Sequence, residues 1–314
     1  MAYQHPNSST RPQPRRGPSG AWCRLKPAII DPLDAYGLPS KGETRLNSHR
    51  NQEAYYTTLV ARYMRFCASS GTGEDLEAAF TNLFINPAVP SKRNDNDPAD
   101  STRPPLSHRP SAQSAHPSSD LPNILLAMRK LREGIVASHR TDAFAQRVYI
   151  FIIQAAILTR QWEAYQAPLL HLLNHIHPRT PLSPTELRDF VDYRILDLAC
   201  RQNDLSGAYA VKLEFGQRSR RVDAVLKALV SDDWVRFWRI KRVVDGYQRA
   251  LMEFAEERMR MHVLKCIGRS YLSVEKGFVE RAASAKWEIL VKECGVGWQL
   301  LESGMVVVRR PKVK

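Results

Sequence analysis

Ser270–Lys314 reads SYLSVEKGFVERAASAKWEILVKECGVGWQLLESGMVVVRRPKVK, and its patterning decides the fold. Ser273 has the chemistry of a helix N-cap, with Val274, Phe278 and Val279 supplying a short apolar face behind it. Trp287, Leu290, Val291 and Cys294 follow the i, i+3, i+4, i+7 spacing of a second helix, which Gly295 stops. Trp298–Leu301 and Met305–Val308 are β-prone runs that bracket Glu302-Ser303-Gly304, a glycine-containing turn. Helix, helix and hairpin in that order predict a winged helix with a basic end.

Upstream, from Leu121, the pattern is helix after helix. LPNILLAMRKLREGIVAS is the first, with Pro122 acceptable in an initial turn. Thr141 or Asp142 caps the next, which carries the apolar run Val148–Leu158. Trp162, Tyr165, Leu169, Leu172, Leu173 and Ile176 form a stripe of period 3.6 despite Pro168. Ser183-Pro184-Thr185-Glu186 is a capping box with proline at the first helical position. A long helix is expected over Tyr247–Cys266, and no strand is expected between Leu121 and Gly268. Three helices open alike, at Gln161-Trp162, Asn203-Asp204-Leu205 and Asp232-Asp233-Trp234, each with an aromatic close behind. Their unequal spacing predicts a loose helical repeat. The expected fold is therefore an all-α helical repeat of stacked antiparallel helix pairs, followed by a C-terminal winged helix with a small β-hairpin.

The rest of the chain is less periodic. Residues 1–50 hold Pro6, Pro12, Pro14 and Pro18 among Ser, Arg and Gln, with no acid before Asp31, and read as a disordered basic tail. Residues 51–86 have helical texture, and 87–120 cluster Pro, Ser, His and Asp as a disordered linker. The organisation expected is thus tail, short helical segment tethered by a linker, a repeat domain over 121–268 and a winged-helix domain over 269–314. The first forty residues contain no apolar core run of the secretory kind, and Val148–Leu158 is too short to span a bilayer. Five scattered cysteines without CxxC spacing argue against a disulfide framework or zinc finger and fit a reducing compartment, cytoplasmic or nuclear.

The segments NDLSGAYAVKLEFG, SDDWVRFWRIKRVV and RSYLSVEKGFVERAASAKWEILVKECGVGWQLLESGMVVVRR together resemble the PCI module of proteasome lid, COP-nine signalosome and initiation factor subunits. The likeness covers about Leu121–Arg310 and points to the branch of small subunits: signalosome subunit eight, the small non-ATPase lid subunit and subunit k of initiation factor three. In that branch an Asp-Trp/Tyr-x-x-Phe helix precedes the winged helix, as Asp233, Trp234 and Phe237 do here. The long N-terminal extension and the ending RRPKVK depart from the family pattern. Messenger-RNA export scaffolds share the same layout. The resemblance implies a non-catalytic subunit whose wing adds its strands to neighbouring wings, through Trp298, Leu300, Met305, Val306, Val307 and Val308.

Competing chemistry is thin. His171, His175 and His177 place two imidazoles four apart, but HExxH is absent and Pro178 ends the helix, so a solvated cluster is expected rather than a metal site. No nucleophile elbow, phosphate loop or dinucleotide fingerprint occurs. No enzyme, cofactor, metal or small-molecule substrate is expected. The formal net charge of +14 and the 21 basic against 12 acidic residues from Arg218 to Lys314 keep nucleic acid in view. Candidate contacts are Arg236, Arg239, Lys241 and Arg242 on one helix, and Arg309, Arg310 and Lys312 at the end. The helix that would enter a groove, AKWEILVKECG, balances Lys286 and Lys292 with Glu288 and Glu293, poor footing for phosphate. Assembly with other PCI-type subunits is therefore the favoured reading, and an RNA-associated adaptor the second.

Overall fold

The computed structural model describes residues 31–69 and 117–309. Residues 1–30, most of the expected linker, the second half of the 51–86 segment, and Arg310 and Lys312 lie outside them. Among the described residues are twelve α-helices and one small antiparallel sheet. The helices are α1 (His49–Ser69), α2 (Pro117–Ala137), α3 (Ala143–Leu158), α4 (Trp162–His171), α5 (Pro184–Leu196) and α6 (Leu205–Glu214). They continue with α7 (Arg220–Val230), α8 (Trp234–Lys241), α9 (Gly246–Glu253), α10 (Glu256–Ser270), α11 (Lys276–Ala283) and α12 (Trp287–Lys292). Short π turns extend α4 over Leu172–Ile176 and α5 over Asp197–Arg201.

Local signals place the helix starts. Asp142, Asp233 and Asp245 each accept a hydrogen bond from the backbone N–H three residues on, and Ser183 forms the expected capping box with Glu186. The three similar openings share more than composition. Each follows a residue in the left-handed region, Arg160, Asn203 or Asp232, at φ of 57°, 56° and 51°. Gln161 and Asp233 then donate back to Ala156 and Ala228, five residues earlier, closing the previous helix as a Schellman turn does. These turns fold α3 onto α4 and α7 onto α8.

Residues 31–50 are not a tail. Leu33 and Leu46 are buried, and Lys130 Nζ on α2 donates to the Leu33 carbonyl at 3.0 Å. Gln52 of α1 donates to Leu46 O (2.8 Å) and Gly134 O (3.1 Å), stitching this segment to α2. Nor is α1 a tethered preface. Tyr55, Leu59, Tyr63 and Cys67 recur every four residues and join the main core, where Tyr63 meets Phe151 edge-on at 5.5 Å. The close approach has a test. A Cβ at Gly134 would lie 2.8 Å from Leu46 O, so Gly134→Ala is expected to lower stability by about 1–3 kcal/mol in urea unfolding.

The single long helix expected over Tyr247–Cys266 is two, α9 and α10, broken at Phe254–Ala255. No proline or glycine marks the break. Packing sets it: Leu251, Met252 and Ala255 are all fully buried, with α9 lying across α3, α5 and the π turn behind α5. Beyond Met259, α10 serves a second core made of Val263, Leu264, Ile267, Val274, Val279, Ala283, Trp287, Leu290, Val296 and Val306.

The sheet behind that core has three strands rather than a lone hairpin. Strand β1 (Ser273–Glu275) pairs with β3 (Met305–Val307), which pairs in turn with β2 (Gln299–Leu300), all antiparallel. Ser273 is thus a strand residue opposite Val307, not a helix cap, and α11 starts three residues later. Gly304, at φ 79°, makes the turn into β3, and its N–H bonds Leu301 O at 3.0 Å. Trp238 Nε1 donates to Ala282 O (3.0 Å) and Arg260 Nε to Ala283 O (3.2 Å), joining this C-terminal unit to the helical body.

Candidate interaction surfaces of the C-terminal unit

The six residues expected in the wing contact separate by burial. Val306 is fully buried opposite Val274 and belongs to the core. Trp298 and Val308 are half-buried against the same core, and Val307 is half-buried between β1 and β2. Leu300 and Met305 reach the surface, at 39% and 36% exposure. The expected inner stripe of α12 also divides: Trp287 and Leu290 are buried, whereas Val291 is exposed and Cys294 only half-buried. A helix of six residues has too few turns to bury a full apolar stripe, so part of it stays outside.

That leaves a concentration of apolar surface. Of the fifteen large hydrophobic side chains exposed among the described residues, eight lie between Tyr271 and Met305. They are Tyr271 and Leu272 before β1, Phe278 on α11, Ile289 and Val291 on α12, and Leu300, Leu301 and Met305 in the hairpin. Among the described residues β1 and β2 form the two edges of the sheet.

The basic candidates are partly committed inside the molecule. Lys241 Nζ is ion-paired with Glu256 and lies 3.9 Å from Glu253; burial lowers the pKa of its ammonium, with Glu253 pulling the other way. Arg236 leans on Asp233 at 3.6 Å, and Arg309 donates to Arg269 O at 2.7 Å. Arg239 and Arg242 are exposed, and Arg242 shares a shallow cleft with Arg281, Lys286 and Glu280.

Two buried carboxylates escaped the sequence reading. Asp197, in the π turn after α5, accepts from Tyr165 Oη (2.7 Å), from Arg201 through Nε (2.6 Å) and Nη2 (2.9 Å), and from Gln202 Nε2 (2.8 Å). Burial pushes its pKa upward, but these hydrogen bonds together hold it below the usual value. Asp192 accepts from Gln217 at 2.6 Å, and burial pushes its pKa up to about 6. The i, i+4 spacing of Asp197 and Arg201 was the available signal; Tyr165, 32 positions away, gave none. The histidines of HLLNHIH also part company. His177 Nδ1 accepts from Leu182 N (3.1 Å), whereas His171 stacks on Tyr149 (5.0 Å) and lies tilted against His175 (4.8 Å). Among the described residues no three His, Cys, Asp or Glu side chains are placed to hold a metal ion, and no helix is long and apolar enough to cross a membrane. Compared with protein-family models and with curated proteins, the chain matches no family model and no curated sequence.

Proposed function

We propose that the chain is a non-catalytic assembly subunit of the PCI type. In this reading the helix pairs form a loose repeat and the C-terminal unit is its winged helix. That unit docks on other PCI-type subunits of a eukaryotic complex of the proteasome-lid, signalosome or initiation-factor kind, in the cytoplasm or nucleus. The observation that supports it is that eight of the fifteen exposed large apolar side chains among the described residues fall in this one short unit, which also carries a small sheet. Patches of that kind mark protein interfaces, and an edge strand accepts a partner's strand.

The exposed Arg239 and Arg242, with Arg281 and Lys286, favour a second reading, an RNA-associated adaptor of the messenger-RNA export type. One experiment separates the two. Full-length protein is used to capture partners from a eukaryotic lysate, beside a Leu301→Lys, Met305→Lys variant whose lysines put charge on the exposed apolar surface without touching the core. Assembly predicts recovery of PCI-type subunits and a loss of about tenfold or more in the variant, with its thermal midpoint unchanged. Recovery of RNA alone, abolished by nuclease and indifferent to the two lysines, rejects assembly and supports the adaptor.

A further inference from the structure

The corner where α2, α3 and α4 meet gathers basic side chains around a hollow. A cavity of about 340 Å³ is lined there by His139, Arg140, Thr141, His171, His175 and Arg179, with Ile135 and Val136 beside them. The His171 and His175 rings lie 4.8 Å apart, tilted by 36°, and Arg179 donates to His175 O at 3.3 Å, which brings its guanidinium to the same rim. Arg132 on α2 adds its field: burial, then His175, Arg132 and Arg179, lower the pKa of His171. Among the described residues none of Arg132, His139, His171, His175 and Arg179 has a carboxylate within ion-pair distance. The nearby acids, Glu53 and Asp142, are both taken by Arg140, at 2.7 and 2.9 Å. His177 is occupied by Leu182 N. The remaining titratable neighbour, Tyr149, is fully buried with its ring on His171 and its hydroxyl without a hydrogen-bond partner.

Arg179 and the imidazoles of His139 and His175 are solvent-exposed and have no carboxylate partner among the described residues, so their donors are free to turn to an anion that enters the hollow. We propose that this cavity binds a phosphate group, carried on a small phosphorylated moiety or free as inorganic phosphate. Arg179 supplies the planar guanidinium that matches a tetrahedral oxyanion, His175 a ring N–H, and His171 a donor that gains charge as the pH falls. The volume admits a phosphate and the few atoms that carry it, not a folded partner. Binding draws a proton onto His171, so affinity rises toward acid pH.

The test uses the full chain with histidine ¹⁵N-labelled, and sulfate as the first probe because its charge stays constant over the range. Sulfate is expected to shift the His171 and His175 resonances saturably, and to bind about tenfold more tightly at pH 5.5 than at 7.5, the factor for one pKa unit of linkage. Arg179→Gln is expected to weaken it about tenfold or more with an unchanged thermal midpoint, and Arg179→Lys to restore part of it. Linear shifts matched by chloride, or equal binding to Arg179→Gln, overturn the proposal. At pH 7.5, a phosphoserine peptide binding over tenfold tighter than inorganic phosphate identifies a phosphorylated side chain, and equal affinities identify the free ion. An unphosphorylated peptide that binds as well as its phosphorylated form overturns the site.

Discussion

Asp197→Ala is expected to lower the folding free energy by about 3–5 kcal/mol, read as a fall in the urea midpoint at neutral pH. The substitution strips four donors of their acceptor at once: Tyr165 Oη, two nitrogens of Arg201 and Gln202 Nε2. It leaves the Arg201 guanidinium beside a hole in the core, with only its contact over Trp162 at 4.7 Å. Asp197→Asn keeps an acceptor for Tyr165 but loses the charge pair, so it falls between alanine and the native chain. The pH dependence has a definite sign. A carboxylate whose pKa is lowered on folding stabilises fully above its unfolded value, about 3.9, and loses that contribution as the pH falls through the folded value. The native chain therefore converges on the alanine variant in acid. Asp192 acts in the opposite sense, its burial cost setting in as the pH rises from about 3.9 toward 6. A midpoint for Asp197→Ala within 1 kcal/mol of native would show the carboxylate to be dispensable.

Val306→Asp is expected to unfold the C-terminal unit, at a cost above about 4 kcal/mol, while α1 to α9 persist. Val306 is fully buried at the centre of the sheet, paired with Val274 on one side and Leu300 on the other. Hydrogen exchange would show protection lost from β1 through β3 and retained in α3 and α9. Uniform loss across the chain, or none, would contradict the division into two cores. The distinction matters for any test of docking: a charge at Val306 removes the surface by destroying what holds it. Lysines at Leu301 and Met305 remove the surface alone.

What the sequence made legible is what nearest neighbours decide. Asp233, Ser183 and Asp142 announce helix starts because a cap needs only the next three residues. The turn at Gly304 and the stop at Gly295 likewise carry their own signal in a positive φ. Three features lay beyond that reach. Ser273–Glu275 looks like a helix start until Met305–Val307 arrives to pair with it. Residues 31–50 look like tail because their partners, Lys130 and Gly134, are more than 80 positions away. The break at Ala255 has no punctuation at all: Leu251 and Met252 before it and Met259 after it pack into the same first core. Of the expected contact residues, exposure could not be read from β-propensity, so Val306 and Met305, neighbours in one strand, were grouped although only Met305 reaches solvent.

One element runs through both cores. Met259 of α10 lies in the first, and Val263, Leu264 and Ile267, a turn further on, lie in the second. The bonds from Trp238 and Arg260 tie down the same junction from the side. The chain accordingly has no swivel between its two parts. Whatever grips the C-terminal strands would therefore also set the heading of the helices behind them, as a bracket of fixed angle does and a bead on a string does not.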